Sequence, residues 1–322
     1  MSFFVHGRLL LVFALGYNAT LWADATLLVQ EPYGVFGAVN PTGHASVYLS
    51  RVCAETPIVL RPCDPDESGI VISRYRKLAG YDWIAIPLIP YLYAVEDIAR
   101  VPAHADSETV AYLRDQYRRR YLRVIIPDGP SGQTPKGSWV ELVGAAYNRK
   151  IYGFQIETTE AQDQYLISVL NGQKNKSHFN LFFNNCADFS RRILNLYYAG
   201  AIRRNYIADA GITTPQQIAK NWISYARHHR GLLLTAFFLP QILGSCHPSH
   251  RVDSVSAGLL KSKKYILPLA AFHPWIAGTI LAVYLANGRF DVAHYAETQY
   301  APVDLLVMKD SVTPGAEEVA QR

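Results

Sequence analysis

Between Pro32 and Pro90 the chain offers no stretch long enough for a stable helix. Apolar runs of four to six residues, His44 to Leu49, Pro57 to Leu60, Ile70 to Ser73 and Trp83 to Leu88, are separated by Gly, Pro and Asp. Short runs bounded by turn residues predict strands, and the short connections between them predict antiparallel pairing. Downstream the signals turn helical. Asp106 and Ser107 can cap a helix to about Leu122, and Thr159 with Gln162 forms a capping box for one ending near Gly172. Cys186 opens a third helix with Phe189, Ile193 and Leu196 on one face, and Thr214-Pro215-Gln216-Gln217 starts a fourth that reaches about His229. Tyr152, Phe154 and Ile156 alternate as a strand, and Phe179 to Phe183 reads as another. The expected class is α+β, a small antiparallel sheet packed against helices over residues 26–230.

Half of the 322 residues are hydrophobic and 18% are charged, which excludes a disordered chain. Lys and Arg exceed Asp and Glu by 31 to 26, too mild an excess for a nucleic-acid binder, and no nucleic-acid partner is expected. Arg114, Arg118, Arg119, Arg120 and Arg123 line one side of the Asp106 helix and read as a solvated face with ordinary ion pairs. At the N-terminus Arg8 precedes the apolar run Leu9 to Gly16, and the small residues of Ala23-Asp24-Ala25 suit a signal peptidase. Residues 1–25 are therefore expected to be a signal peptide with Thr26 as the mature start, the alternative being an uncleaved anchor. Export predicts a periplasmic or membrane-associated envelope location where disulfides persist. Cys53 and Cys63 flank a hairpin and are the expected pair, with Cys186 and Cys246 left over.

After Arg230 the composition shifts. Leu232 to Leu243 is apolar over twelve residues, and Ile266 to Ala286 runs for twenty-one without a formal charge. The second run is long enough to cross a bilayer, although Pro268, His273 and Pro274 interrupt it. Arg251, Lys261, Lys263 and Lys264 between them would satisfy the positive-inside rule. Residues 231–290 thus read as an apolar helical hairpin that inserts in a membrane or meets a membrane partner, against a buried core hairpin or subunit interface. Residues 291–322 read as a polar, partly mobile tail.

Two segments could carry chemistry, Gly43-His44-Ala45-Ser46-Val47-Tyr48-Leu49 and Asn184-Asn185-Cys186-Ala187-Asp188-Phe189. Alternation sets His44, Ser46 and Tyr48 on one side of a strand, with the imidazole at the sheet margin. Cys186 falls in the first turn of a helix, where backbone donors and the helix dipole favour thiolate. Thiolate attack on a carbonyl with an imidazole relaying protons is nucleophilic cysteine catalysis. The alternative is a structural histidine and a buried cysteine beside Phe189 and Ile193. Cys246-His247, His250 and His228-His229 lack the paired spacing of a zinc site, and no phosphate loop, Gly-x-Ser-x-Gly elbow or His-Glu-x-x-His helix occurs. No metal or cofactor is expected.

A strand with Gly-His-Ala-x-Val-Tyr, intervening strands, and then a helix opening with Asn-Cys-x-x-Phe resembles the circularly permuted papain-like cysteine enzymes, which include relatives of bacterial cell-wall endopeptidases and of lecithin retinol acyltransferase. The resemblance covers about Tyr33 to Gly200. It implies histidine on a strand ahead of cysteine on a helix, with His44 as base and Cys186 as nucleophile. It also implies hydrolysis or acyl transfer through a thioester, at an amide or ester of a membrane lipid or of the cell wall. The family's third polar group, on the next strand, has no single match: Arg61, Asp64 and Ser73 all lie in its region. The competing expectation is a non-catalytic envelope scaffold or membrane-associated interaction protein on the same fold.

Overall fold

The structure, a computed structural model, describes residues 23–34, 41–76, 78–176, 178–302 and 304. The expected signal segment up to Trp22 and the tail from 305 lie outside them. One mixed sheet of seven strands organises the chain: β1 (Ala23–Gln30), β2 (His44–Leu49), β5 (Ile70–Ser73), β6 (Ile84–Pro87), β7 (Ile151–Thr158), β8 (Leu234–Leu239) and β9 (Thr298–Gln299), in the order β6-β5-β2-β1-β7-β8-β9. Every neighbouring pair is antiparallel except β8 and β9. A separate ribbon, β3 (Val52–Thr56) with β4 (Val59–Pro62), carries the Cys53–Cys63 disulfide expected from the hairpin spacing. Cys186 and Cys246 are free.

The period of two decides which face each side chain meets. Leu27 and Val29 of β1, Ala45, Val47 and Leu49 of β2, and Phe154 and Ile156 of β7 pack against the helices α4 (Glu160–Gly172), α5 (Cys186–Tyr197) and α6 (Pro215–His228). Leu28, Tyr48, Val71, Ile84 and Ile86 point the other way, to a second core with α1 (Leu88–Tyr93), α2 (Ser107–Tyr117) and α3 (Ala145–Asn148). Covered on both faces, β1 is the buried axis of the sheet. Ala23 to Ala25, read as the end of the export signal, are its first three residues, and Asp24 exchanges backbone and hydroxyl bonds with Ser50. Caps act as the sequence predicts: Thr159 and Gln162 form a capping box on α4, Asp106 caps α2 and Thr214 caps α6. The Trp222 indole donates to the Phe154 carbonyl and ties α6 to β7.

Three expectations are corrected. Leu232 to Leu243 is not helical; its Phe- and Leu-rich centre is β8, paired with β7 from Ile151↔Leu239 to Ile156↔Leu234. Pairing with an exposed sheet edge satisfies every second backbone group, and the aromatic side chains pack on a pleated surface. Gly153 on β7 makes room, because a Cβ there would stand 2.3 Å from the Phe237 ring. The second apolar run is broken as well: α7 (Val255–Lys261), α8 (Lys263–Phe272) and α9 (Pro274–Val283) are short, since Pro274 cannot continue the helix before it. Among the described residues no helix is long and apolar enough to cross a membrane. Phe179 to Phe183 is a turn, closed by a bridge between Asn180 and Asn184. The basic side of α2 also differs in part. Arg119, Arg120 and Arg123 form surface ion pairs, but Arg118 is fully buried, held by Asp115 and Asp128, and Arg114 is buried as well, donating to the carbonyls of Val143 and Gly144.

Two buried carboxyls set a pH dependence. Burial pushes Asp24 up to about 6, with Glu157 adding to the shift, and pushes Asp163 up to about 6 against the hydrogen bond from Tyr197. A carboxyl whose folded pKa exceeds its unfolded value holds more protons when folded, so stability falls as pH rises from about 4 to about 6. Asp163→Asn, which lies within the expected mature chain, is expected to gain about 1–3 kcal/mol at pH 7.5 and nothing below about pH 4, measured by urea unfolding at both pH values.

Candidate active site

β2 begins at His44 because Gly43 lets the chain pass against β1: its φ is +71°, and a Cβ there would meet the Gln30 carbonyl oxygen at 2.1 Å. The His44 ring stacks on Tyr75, centroids 4.6 Å apart. Its Nε2 is 2.7 Å from the hydroxyl of Ser73, the last residue of the neighbouring strand β5. Of Arg61, Asp64 and Ser73, Ser73 is therefore the one on the histidine. Arg61 and Asp64 pair with each other at the β3–β4 ribbon, where Arg61 also holds Glu67. Behind the ring, Ser46 accepts from Gln30 and from Tyr91, so the polar side of β2 is internally satisfied.

Cys186 is the first residue of α5, and the local sequence fixes it there. Asn185 accepts from the Asp188 amide while Asp188 accepts from the Asn185 amide, a reciprocal capping box. Asn185 also donates to the carbonyls of Leu181 and Thr213, and Asp188 accepts from the Thr213 hydroxyl. Arg74, directly after Ser73, is fully buried. It bonds the Asn184 side chain and Asp82, and lies over the Phe189 ring at 4.9 Å. One guanidinium thus links the β5 end carrying Ser73 to the turn carrying Cys186.

Among the groups that favour the charged thiol of Cys186 are the backbone N–H groups of Ala45, next to His44 on β2, of Ala187 and of Cys186 itself. The thiol and the imidazole share this neighbourhood but are not hydrogen-bonded to each other. Burial pushes the thiol pKa up, and the three amides and Arg149 offset that only in part. Burial, with Arg149 nearby, holds His44 well below its ordinary value. Both shifts favour the neutral thiol and the neutral imidazole rather than a standing thiolate, because desolvation outweighs the dipole and amide donors at the start of α5.

Arg149 had no signal in the sequence. It is buried, paired with Glu141, and lies 4.4 Å from the centre of the Tyr33 ring, while Tyr33 also donates to Glu141. Burial works against its charge, but Glu141 and the surrounding tyrosines Tyr33, Tyr75 and Tyr91 outweigh that. Tyr75 and Tyr91 were equally unmarked, since an aromatic on a turn and one on a short helix show no periodicity that points to a common site. No protein-family model, no curated protein and no solved structure matches this chain.

Proposed function

We propose that the chain is an exported thiol hydrolase or acyltransferase of the permuted papain-like kind, acting on an amide or ester of the cell envelope. The observation that carries the reading is the hydrogen bond from the His44 ring to Ser73 on the adjacent strand, beside a cysteine that opens a helix. Nε2 is engaged by Ser73, which leaves Nδ1 as the nitrogen through which the ring would exchange protons with the thiol once the two come into contact. As the sulfur attacks the carbonyl carbon, its proton passes to His44, and the carbonyl π-electrons move to the oxygen. Backbone donors at the start of α5, including the Cys186 amide that favours the charged sulfur, would receive that oxyanion. Collapse expels the amine or alcohol, which takes the proton from His44 and leaves a thioester. Water or a second alcohol or amine, deprotonated by His44, then releases the acyl group and restores the thiol. Because the pair rests neutral, transfer accompanies attack. Ser73 is a positioning residue. The export-type N-terminus and the Cys53–Cys63 disulfide support an envelope location.

Incubation with p-nitrophenyl acetate followed by intact-mass measurement tests this. One acetyl group on Cys186, lost to hydroxylamine and absent in Cys186→Ser, is the expected result. Alkylation by iodoacetamide is expected to be slow at neutral pH and to rise on the alkaline side, since burial keeps the thiol protonated. The unjoined thiol and ring favour a second reading, a scaffold that keeps the fold without the chemistry. That reading wins if Cys186 reacts with neither reagent until the chain is denatured.

A further inference from the structure

The helices α8 and α9 contain no buried residue, although α9 is apolar on every side. Leu267 is 62% exposed, Phe272 78% and Trp275 72%, with Tyr265, Leu281 and Leu285 also open. An apolar surface of this extent is unfavourable in water and implies a covering partner. α9 packs on α8 and on α7, so the chain doubles back as a hairpin with Phe272 and Trp275 near its tip. Its open end is basic: Lys263, Lys264 and Arg289 are exposed, and from Ser254 to Phe290 the sequence holds no Asp or Glu.

We propose that this hairpin inserts into one leaflet of an anionic lipid bilayer and anchors the protein to its surface. Ten residues at about 1.5 Å each give each helix about 15 Å, half of a hydrocarbon core of about 30 Å. That reaches into a leaflet and does not span. Helical backbone satisfies its own hydrogen bonds in lipid, and at the break between the helices the His273 amide donates to Leu269 while its carbonyl accepts from Ile276 and Ala277, which leaves the His273 imidazole as the polar group at the tip. The cations at the open end would meet the headgroups, where each basic residue contributes about fivefold in affinity. A partner protein would also cover apolar side chains, but an apolar hairpin whose collar is basic on balance, Lys261 and Arg251 being paired with Asp253 and Asp291 while Lys263, Lys264 and Arg289 are in excess, matches an anionic interface better. The base of the hairpin is fixed to the end of the sheet that bears His44. The Asp253 amide donates to the Pro41 carbonyl, a Cβ on Gly258 would meet Pro41 at 2.4 Å, and the Asp209 carboxylate accepts from the Val255 amide. Anchoring therefore brings the His44 and Cys186 end to the headgroups.

Sedimentation with phosphatidylglycerol/phosphatidylcholine vesicles, and with phosphatidylcholine alone, tests the anchor on the full chain. Binding to the anionic vesicles is expected, weakened roughly 25-fold by Lys263→Gln with Lys264→Gln, and weakened further in 1 M salt. Phe272→Ser with Trp275→Ser should lower it at least tenfold, and because both side chains are exposed the fold should survive. Trp83, Trp139 and Trp222 are buried, so acyl-brominated lipids should quench a component of fluorescence that Trp275→Phe removes. Cys186→Ser should bind as the parent does, which separates failure of the anchor from failure of the thiol reading. Absence of vesicle binding, or a concentration-dependent dimer that Phe272→Ser with Trp275→Ser dissolves while vesicles are ignored, would overturn the proposal in favour of self-association.

Discussion

Replacing His44 by Ala should lower the rate of acyl-adduct formation from p-nitrophenyl acetate by about 10²- to 10⁴-fold, the range for losing a positioned general base. Cys186→Ser should remove the adduct altogether. The loss in His44→Ala should shrink as pH rises toward the elevated thiol pKa, because hydroxide then supplies the thiolate that the imidazole otherwise makes. Ser73→Ala should act more weakly. It frees the ring to turn on the Tyr75 face, lowering the rate while thiol alkylation at alkaline pH stays unchanged. Stopped-flow release of p-nitrophenol against pH, for the parent and the three variants, separates these roles. Equal rates in the parent and His44→Ala at every pH would show that the imidazole takes no part.

Arg74→Met should cost about 3–5 kcal/mol of folding stability, the range for stripping one partner from a buried ion pair. Asp82 would lose its counter-charge, and one of its oxygens is already buried without a partner. Arg192, at 3.4 Å from Asp82 but half exposed, compensates poorly. At about 2–4 °C per kcal/mol for a chain of this size, Tm should drop by roughly 10 °C. Arg74→Lys should recover only part of this, since an ammonium cannot bridge Asp82 and Asn184 in one plane. Calorimetry on both variants checks the ordering, and a Tm for Arg74→Met within 2 °C or so of the parent would mean that Asp82 is relieved by water.

Local chemistry made much of the architecture legible. A capping box needs only residues three apart, so Thr159–Gln162, Asp106 and Thr214 marked helix starts that the structure reproduces. Alternation needs only neighbours, so the two faces of β2 and β7 could be assigned from the chain. The hairpin length between Cys53 and Cys63 pointed to their bridge. Where a run was apolar without a period, the sequence was silent: β8 and a buried helix segment look alike until β7 offers an edge. The long uncharged stretch near the C-terminus suggested a span by its composition, yet Pro274 and His273 divide it, because a ring without an N–H outweighs any amount of apolarity.

The candidate site divides along the same line. From the sequence alone come the histidine at the head of a strand and the cysteine at the head of a helix, since Gly43 and Asn185 act on the residues beside them. The choice of Ser73 over Arg61 and Asp64 came from the pairing of β5 with β2, which sets one hydroxyl against the ring and sends the other two residues to a ribbon. Arg74, Arg149 and Tyr75 likewise joined the site through contacts between segments far apart in the chain. The resting charge of the pair was also decided in three dimensions. A helix start favours thiolate through fields that act within one turn, whereas desolvation depends on everything packed around the sulfur, and here the larger effect is the one that only the fold supplies.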